Sequence, residues 1–235
     1  LDDIGIALSY CNADLVCDVS IPEAHARTAK IALESGCHVF TEKPITTTME
    51  EARITSEIAS RQDRHYAVMQ NRRYLPYVRA IRDVLIDDKL GKLGIVNADF
   101  YRDPQFEGNF RREMESPLIL DMAIHHFDQM RCMTGTDAIS VICHEFNPEW
   151  SWYRYGAGAT AVFEMTGKVV FTYTGCWCAS GTLTPWTASW RLIGQRGALT
   201  WDGQKAPILH LKDEDPQQIS AAHSAPTEHA GCLDE

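Results

Sequence analysis

Short apolar runs alternate with stretches of helical period through roughly the first ninety residues of the chain. Asp14-Leu15-Val16-Cys17-Asp18-Val19-Ser20 reads as a buried strand ending at Ile21-Pro22. Residues 23–35 carry apolar positions at helical spacing and stop at Gly36. Val39-Phe40-Thr41 is a second strand that halts on Glu42-Lys43-Pro44. Strand, helix and strand within about thirty residues predict a right-handed βαβ unit of a parallel sheet. Residues 1–12 read as the end of a helix and a turn. Residues 49–61 form a further predicted helix, with Thr48 as N-cap and Glu50 and Glu51 suited to its positive first turn. Residues 65–70 are a third strand ending at Asn71-Arg72-Arg73, and Pro76 opens a helix to about Asp88.

After the Lys89-Leu90-Gly91-Lys92-Leu93-Gly94 turn the texture changes. β-Branched and aromatic runs at 95–101 and 159–178 predict long strands, with more at 189–193 and 198–201. Glycine turns at 166–168 and 194–197 join these strands as hairpins, so this second sheet is expected to be mainly antiparallel. The class predicted is α/β: a parallel α/β part over residues 1–73, then an α+β part over 74–211. Residues 212–235 are polar and aperiodic, and read as a disordered or truncated tail.

One predicted helix, 118–134, is apolar nearly all round, which marks it as buried. It is capped by Ser116-Pro117 and closed by Gly135. Its polar exceptions Asp121, His125 and Asp128 fall within about 60° of each other at the α-helical period. Buried carboxylates need partners, and an imidazole four residues on is a natural one. A core Asp–His pair that fixes the helix is one reading. The other is a general acid/base held by a carboxylate. His125 and His126 point about 100° apart and cannot face one ion, so no metal site is expected.

The chain has 235 residues with 45% hydrophobic content, enough for a substantial core. Its formal charge of −10 argues against a broad nucleic-acid or anionic-membrane surface. No apolar run approaches the roughly 20 residues that span a bilayer. Eight scattered cysteines without C-x-x-C spacing point to reduced thiols and a cytoplasmic protein. Cys176 and Cys178 are expected on one face of a strand as buried reduced thiols.

The order Ser20-Ile21-Pro22…His25, Glu42-Lys43-Pro44, Asn71-Arg72-Arg73-Tyr74-x-Pro76, Gly91-Lys92-Leu93-Gly94 and Asp121-x-x-x-His125-x-x-Asp128 resembles the glucose–fructose oxidoreductase/inositol dehydrogenase (Gfo/Idh/MocA) family over about residues 11–203. The resemblance implies a partial Rossmann-type parallel sheet binding NAD or NADP, then an α+β domain with an open, mainly antiparallel sheet that forms homodimer or homotetramer contacts. It implies catalytic roles for Lys43, Asp121 and His125, and cofactor contacts from Ser20, Pro22, His25, Glu42, Lys43 and Asn71. Its expected substrate is a small-molecule polyol, sugar or cyclitol, oxidised at a secondary hydroxyl. The aromatic and cationic runs Phe100-Tyr101-Arg102, Phe110-Arg111-Arg112 and Trp150-Ser151-Trp152-Tyr153 are candidate linings of a sugar pocket, with Tyr101, Arg102 and Trp152, beside Lys43, as candidate substrate contacts; packing and surface charge are the alternative for each run. Trp177, Trp186 and Trp190 are expected as sheet or interface residues. The same family scaffold also hosts cofactor-dependent glycosidases and non-catalytic dinucleotide-binding regulators. A dinucleotide site needs a Gly-rich turn after its first strand. No G-x-G-x-x-G occurs in this sequence, so the chain is expected to be an internal fragment.

Overall fold

The computed structural model describes residues 3–222 and 226–234. The chain divides into two units, one ending at Gln70 and one beginning at Asn71.

In the first unit, α1 (Ile4–Tyr10) precedes β1 (Leu15–Asp18), α2 (Pro22–Glu34), β2 (His38–Thr41), α3 (Met49–Arg61) and β3 (Tyr66–Val68). The three strands form a parallel sheet in the order β1-β2-β3, with Asp18 level with Thr41 and Thr41 level with Val68. Pro22 starts α2 at its first turn, where the missing N–H costs nothing. Thr48 caps α3 in a reciprocal capping box with Glu51. Ala29, Ala32 and Leu33 of α2 pack with Ile58 and Ala59 of α3 and with Val39 of β2. The parallel register carries all three strands to a common carboxyl edge, at Asp18, Thr41 and Val68.

The second unit begins with a 3₁₀ turn over Asn71–Tyr74, followed by α4 (Pro76–Ile86), β4 (Leu93–Tyr101) and the short α5 (Phe110–Glu113). A π-helical turn over Leu118–Ala123 then runs into α6 (Ile124–Thr134). Strands β5 (Ala138–Phe146), β6 (Gly158–Met165), β7 (Val170–Cys176), β8 (Ser189–Gly194), β9 (Gly197–Trp201), β10 (Ile208–Leu211) and β11 (Gln217–Gln218) follow, then α7 (Glu228–Asp234). The eight-stranded sheet has the order β11-β10-β9-β8-β4-β7-β6-β5 and is antiparallel except where β4 meets β7 in parallel. One face is covered: Phe127 of α6 meets Phe163, Phe171 and Tyr173 at 5.1, 6.3 and 5.2 Å between ring centroids.

Three features depart from the sequence expectation. β5 was not anticipated, and every one of its residues but Glu145 is exposed, so its alternating pattern has no buried face to mark it. The polar stretch after Lys212 contributes β11 and α7, although residues 223–225 and 235 lie outside the described set. β10 was not anticipated either. Of the tryptophans expected in the sheet or an interface, Trp190 stands in β8 and Trp177 directly follows β7, 2% and 1% exposed.

Candidate active site

In the first unit the strand-end residues are tied to one another. Glu42 N–H donates to the Asp18 carbonyl at 2.8 Å, which extends the ladder one residue past β2. Asp18 is 4% exposed; its Oδ1 accepts from the Ser20 amide at 3.0 Å and the Ser20 hydroxyl at 2.5 Å. Among the described residues its Oδ2 is buried without a hydrogen-bond partner, as is Gln70 Oε1 just beyond the end of β3. His25 is fully buried on the first turn of α2, with Nδ1 2.7 Å from the Pro44 carbonyl and Nε2 3.2 Å from the Ser20 carbonyl. A neutral imidazole donates to only one of these, and the shorter contact is to Pro44. His25 therefore ties the turn after β2 to the first turn of α2 from within. Lys43 is half-buried, its amide donates to the Glu42 carboxylate at 3.2 Å, and the Lys43–Pro44 peptide is cis.

In the second unit the predicted polar stripe exists, but not as one continuous α-helical row. The turn carrying Asp121 is π-helical, with Ile124 N–H reaching back five residues to the Ile119 carbonyl. A π turn holds one more residue than an α turn, so a stripe extrapolated at the α period does not run unbroken past Ala123. Asp121, about 10% exposed, is bound by Arg111 at 2.6 Å. Asp128, 7% exposed, is gripped by two nitrogens of Arg73, and that carboxylate holds the guanidinium protonated well beyond its ordinary range. His125 lies between them on the helix and is 7% exposed.

The neighbouring His126 is wholly buried, and sequence reasoning assigned it no role. Its Nε2 faces the Trp186 carbonyl at 3.1 Å and its Nδ1 faces the Tyr173 hydroxyl at 3.2 Å. A carbonyl can only accept, so Nε2 carries the proton and Nδ1 accepts from Tyr173. Burial pushes the His126 pKa down to about 3, which keeps the ring neutral. Arg72 donates to the same Trp186 carbonyl, and burial lowers its pKa to about 10. Arg102 lies 4.7 Å above the Trp186 ring and donates to the Thr184 carbonyl at 3.1 Å. The segment between β7 and β8 is thus fixed to the helix through Trp186.

Of the candidate substrate contacts, Trp152 packs on Tyr153 at 4.2 Å between centroids. Tyr153 stacks on Trp177 at 5.5 Å, Phe106 meets Trp177 at 5.5 Å, and Arg111 lies 4.5 Å over Phe106. That chain of contacts links Trp152 to the arginine that holds Asp121. Arg102 reaches the helix through Trp186. Tyr101 does not join them: Phe100 faces His126 at 4.8 Å, and alternation along β4 turns Tyr101 to the opposite side of the sheet. Asn71 opens the second unit, its side-chain amide 3.3 Å from His229 Nε2. Arg111 belongs to the Phe110-Arg111-Arg112 run read as a candidate pocket lining, but the partners of Arg111, Arg73 and His126 were not legible, because they lie 10, 55 and 47 residues away.

The ion pair below His125 yields a direct expectation. Asp128→Ala removes the partner of a half-buried arginine, and such losses cost about 3–5 kcal/mol when fully buried. Arg73 is 35% exposed, so solvent recovers part of that and about 2 kcal/mol is expected. Urea unfolding at neutral pH measures it; a loss below about 0.5 kcal/mol would match a screened surface pair instead.

Residues 78–200 match the family model of the GFO/IDH/MocA C-terminal domain, over half of the chain. The chain belongs to the Gfo/Idh/MocA oxidoreductase family. Residues 6–70 match that family's NAD-binding Rossmann fold model. Among curated relatives, an inositol 2-dehydrogenase/D-chiro-inositol 3-dehydrogenase of Lacticaseibacillus casei is 32% identical over 141 residues, 60% of this chain and 39% of that protein. The rhizopine catabolism protein MocA of Rhizobium meliloti is 33% identical over 113 residues, 48% of this chain and 35% of its own length. A longer match, to an uncharacterised protein of Sinorhizobium fredii, still spans only 58% of that relative. An inositol dehydrogenase homologue from Azotobacter vinelandii, solved with NADH and myo-inositol, shares the fold at a TM-score of 0.81 and 20% identity. The alignment covers 99% of this chain and 62% of that one. Both expected sheets, small and parallel, larger and mainly antiparallel, are therefore those of the family.

Proposed function

We propose that the complete protein oxidises a secondary hydroxyl of a sugar or cyclitol, or reduces the matching ketone, with NAD or NADP. The observation that carries this reading is Asp121, nearly buried and charge-paired to Arg111 at 2.6 Å, four residues before a nearly buried His125 in a chain of this family. In the proposed reaction His125 takes the hydroxyl proton as the C–H bond at the same carbon breaks. Asp121, oriented by Arg111, sets the electrostatics around the imidazole as it gains positive charge. Lys43 donates a charged hydrogen bond to the substrate oxygen as negative charge develops there. The nicotinamide ring, when bound, supplies the hydride acceptor.

The first unit fits part of such a cofactor. Ser20, Pro22, Glu42 and Lys43 lie along the carboxyl edge of the parallel sheet, where α/β proteins bind nucleotides. The unpartnered oxygens of Asp18 and Gln70 are acceptors that ribose hydroxyls or a carboxamide N–H would satisfy. His25 supports the turn after β2 rather than offering a free donor. Asn71 is a further proposed cofactor contact. A Gly-rich pyrophosphate turn is not present in these residues. Substrate contacts are assigned to Lys43, Arg102 and Trp152.

The open face of the large sheet supports self-association. Ile95, Ile142, Val162 and Val170 are 43, 80, 43 and 39% exposed on neighbouring strands, and we assign this face to a second copy of the chain. No described helix is long and apolar enough to cross a membrane, and the free cysteines suit the cytoplasm.

The test is to express the complete reading frame and screen polyols, inositols and aldoses for reduction of NAD and NADP. Deuteration at the oxidised carbon is expected to slow reduction through a primary isotope effect. Glycoside cleavage without net formation of reduced cofactor would contradict the dehydrogenase reading.

A further inference from the structure

Trp177 is flanked by two thiols whose sulfur atoms lie 3.7 Å apart. The pair is not simply two strand residues on one face. Cys176 ends β7 and is half-buried; Cys178 lies in the turn beyond it and is 3% exposed. The backbone around both is firmly held. The Cys176 carbonyl accepts from Arg102 N–H at 3.0 Å, Trp177 N–H donates to the Ala157 carbonyl at 2.7 Å, and Ala179 N–H donates to the Arg102 carbonyl at 3.0 Å. The Cys178 carbonyl accepts from the Trp150 indole at 2.8 Å. A disulfide needs its sulfurs about 2.05 Å apart, so closing the bond brings the two together from 3.7 Å.

We propose that Cys176 and Cys178 form a dithiol modification site that small-molecule disulfides oxidise to an intramolecular disulfide around Trp177. The order of events follows from exposure. The accessible Cys176, as thiolate, attacks one sulfur of the external disulfide; that S–S bond breaks and one thiol leaves. Cys178, after losing its proton to solvent, attacks the Cys176 sulfur of the mixed disulfide, and the second thiol leaves. Two protein thiols are oxidised and one small disulfide is reduced to two thiols. Burial raises the Cys178 pKa to about 11, so its thiolate fraction, and with it ring closure, grows as pH rises. The site does not depend on the reaction proposed above. Cys176 is at the opposite end of β7 from Val170 and its apolar neighbours. Trp177 touches both Tyr153 and Phe106, so the ring would form within the aromatic cluster that leads to Arg111.

The experiment treats the whole chain with oxidised glutathione, blocks remaining thiols with iodoacetamide and digests with trypsin. Residues 169–191 form one tryptic fragment holding both cysteines and no internal Lys or Arg. It is expected to be unalkylated and lighter by two hydrogens, and dithiothreitol is expected to restore it. Cys178→Ser should retain glutathione on Cys176, whereas Cys176→Ser should carry none. A wild-type fragment recovered with two alkyl groups would overturn the proposal on its own, whether or not either variant folds. Equal glutathione labelling of the two variants would also overturn it.

Discussion

Lys43→Ala in the complete protein is expected to lower turnover by about 10²–10³-fold at saturating substrate and cofactor, with a much smaller change in substrate KM. The ladder at the end of β2 is carried past Thr41 by Glu42, whose N–H donates to the Asp18 carbonyl. Pro44 is buried and its carbonyl is anchored by His25, so the Lys43 main chain is fixed on both sides. A preoriented ammonium stabilises an oxygen that gains negative charge in the transition state more than the neutral hydroxyl of the ground state. Its removal therefore appears in kcat. Arginine is no remedy, because a planar fork does not occupy the position of a compact ammonium. Steady-state kinetics on the purified variant decide the point, and turnover within tenfold of wild type would remove Lys43 from the chemistry.

His126 governs the second expectation, a loss of stability in acid. Its imidazole is buried and neutral in the fold, with a pKa lowered from 6.5 to about 3. The unfolded chain binds a proton there below about pH 6.5 that the folded chain refuses. Stability from this group is fully present above about 6.5 and falls as the pH drops from there toward 3. In that window one proton contributes up to about 1.4 kcal/mol for each pH step. His126→Gln can still donate to the Trp186 carbonyl and accept from Tyr173, but it cannot titrate. Urea midpoints at pH 7, 6 and 5 should fall more steeply for wild type than for His126→Gln. Parallel slopes would mean that His126 is not the acid-sensitive group.

How much of this was legible in the sequence depended on whether the cue was local. The Thr48 N-cap, Pro76 at a helix start and the Glu42-Lys43-Pro44 stop all act within a few residues, and each stands where the pattern put it. The strands 189–193 and 198–201 were legible because buried and half-exposed residues alternate along them. β5 escaped because a strand exposed on both faces lacks that contrast. The π turn escaped because a polar stripe read at 100° per residue presupposes an α-helix. Asp121 and Asp128 were recognisable as buried acids in need of partners, but not their partners. Arg111 and Arg73 are brought to them by tertiary packing, and nothing in the sequence near Asp121 or Asp128 names either. Trp190 was legible as a sheet residue, whereas the full burial of Trp177 and Trp190 is set by tertiary packing.

The central proposal is that Asp121 and His125 of the second unit act together on the reacting hydroxyl. A double-mutant cycle of turnover with Asp121→Asn, His125→Ala and the combination measures it directly. Groups that stabilise one transition state lose little more together than the worse of them loses alone. The double variant is therefore expected to fall within about tenfold of the slower single variant. Losses that multiply in full, as for independent sites, would contradict the account.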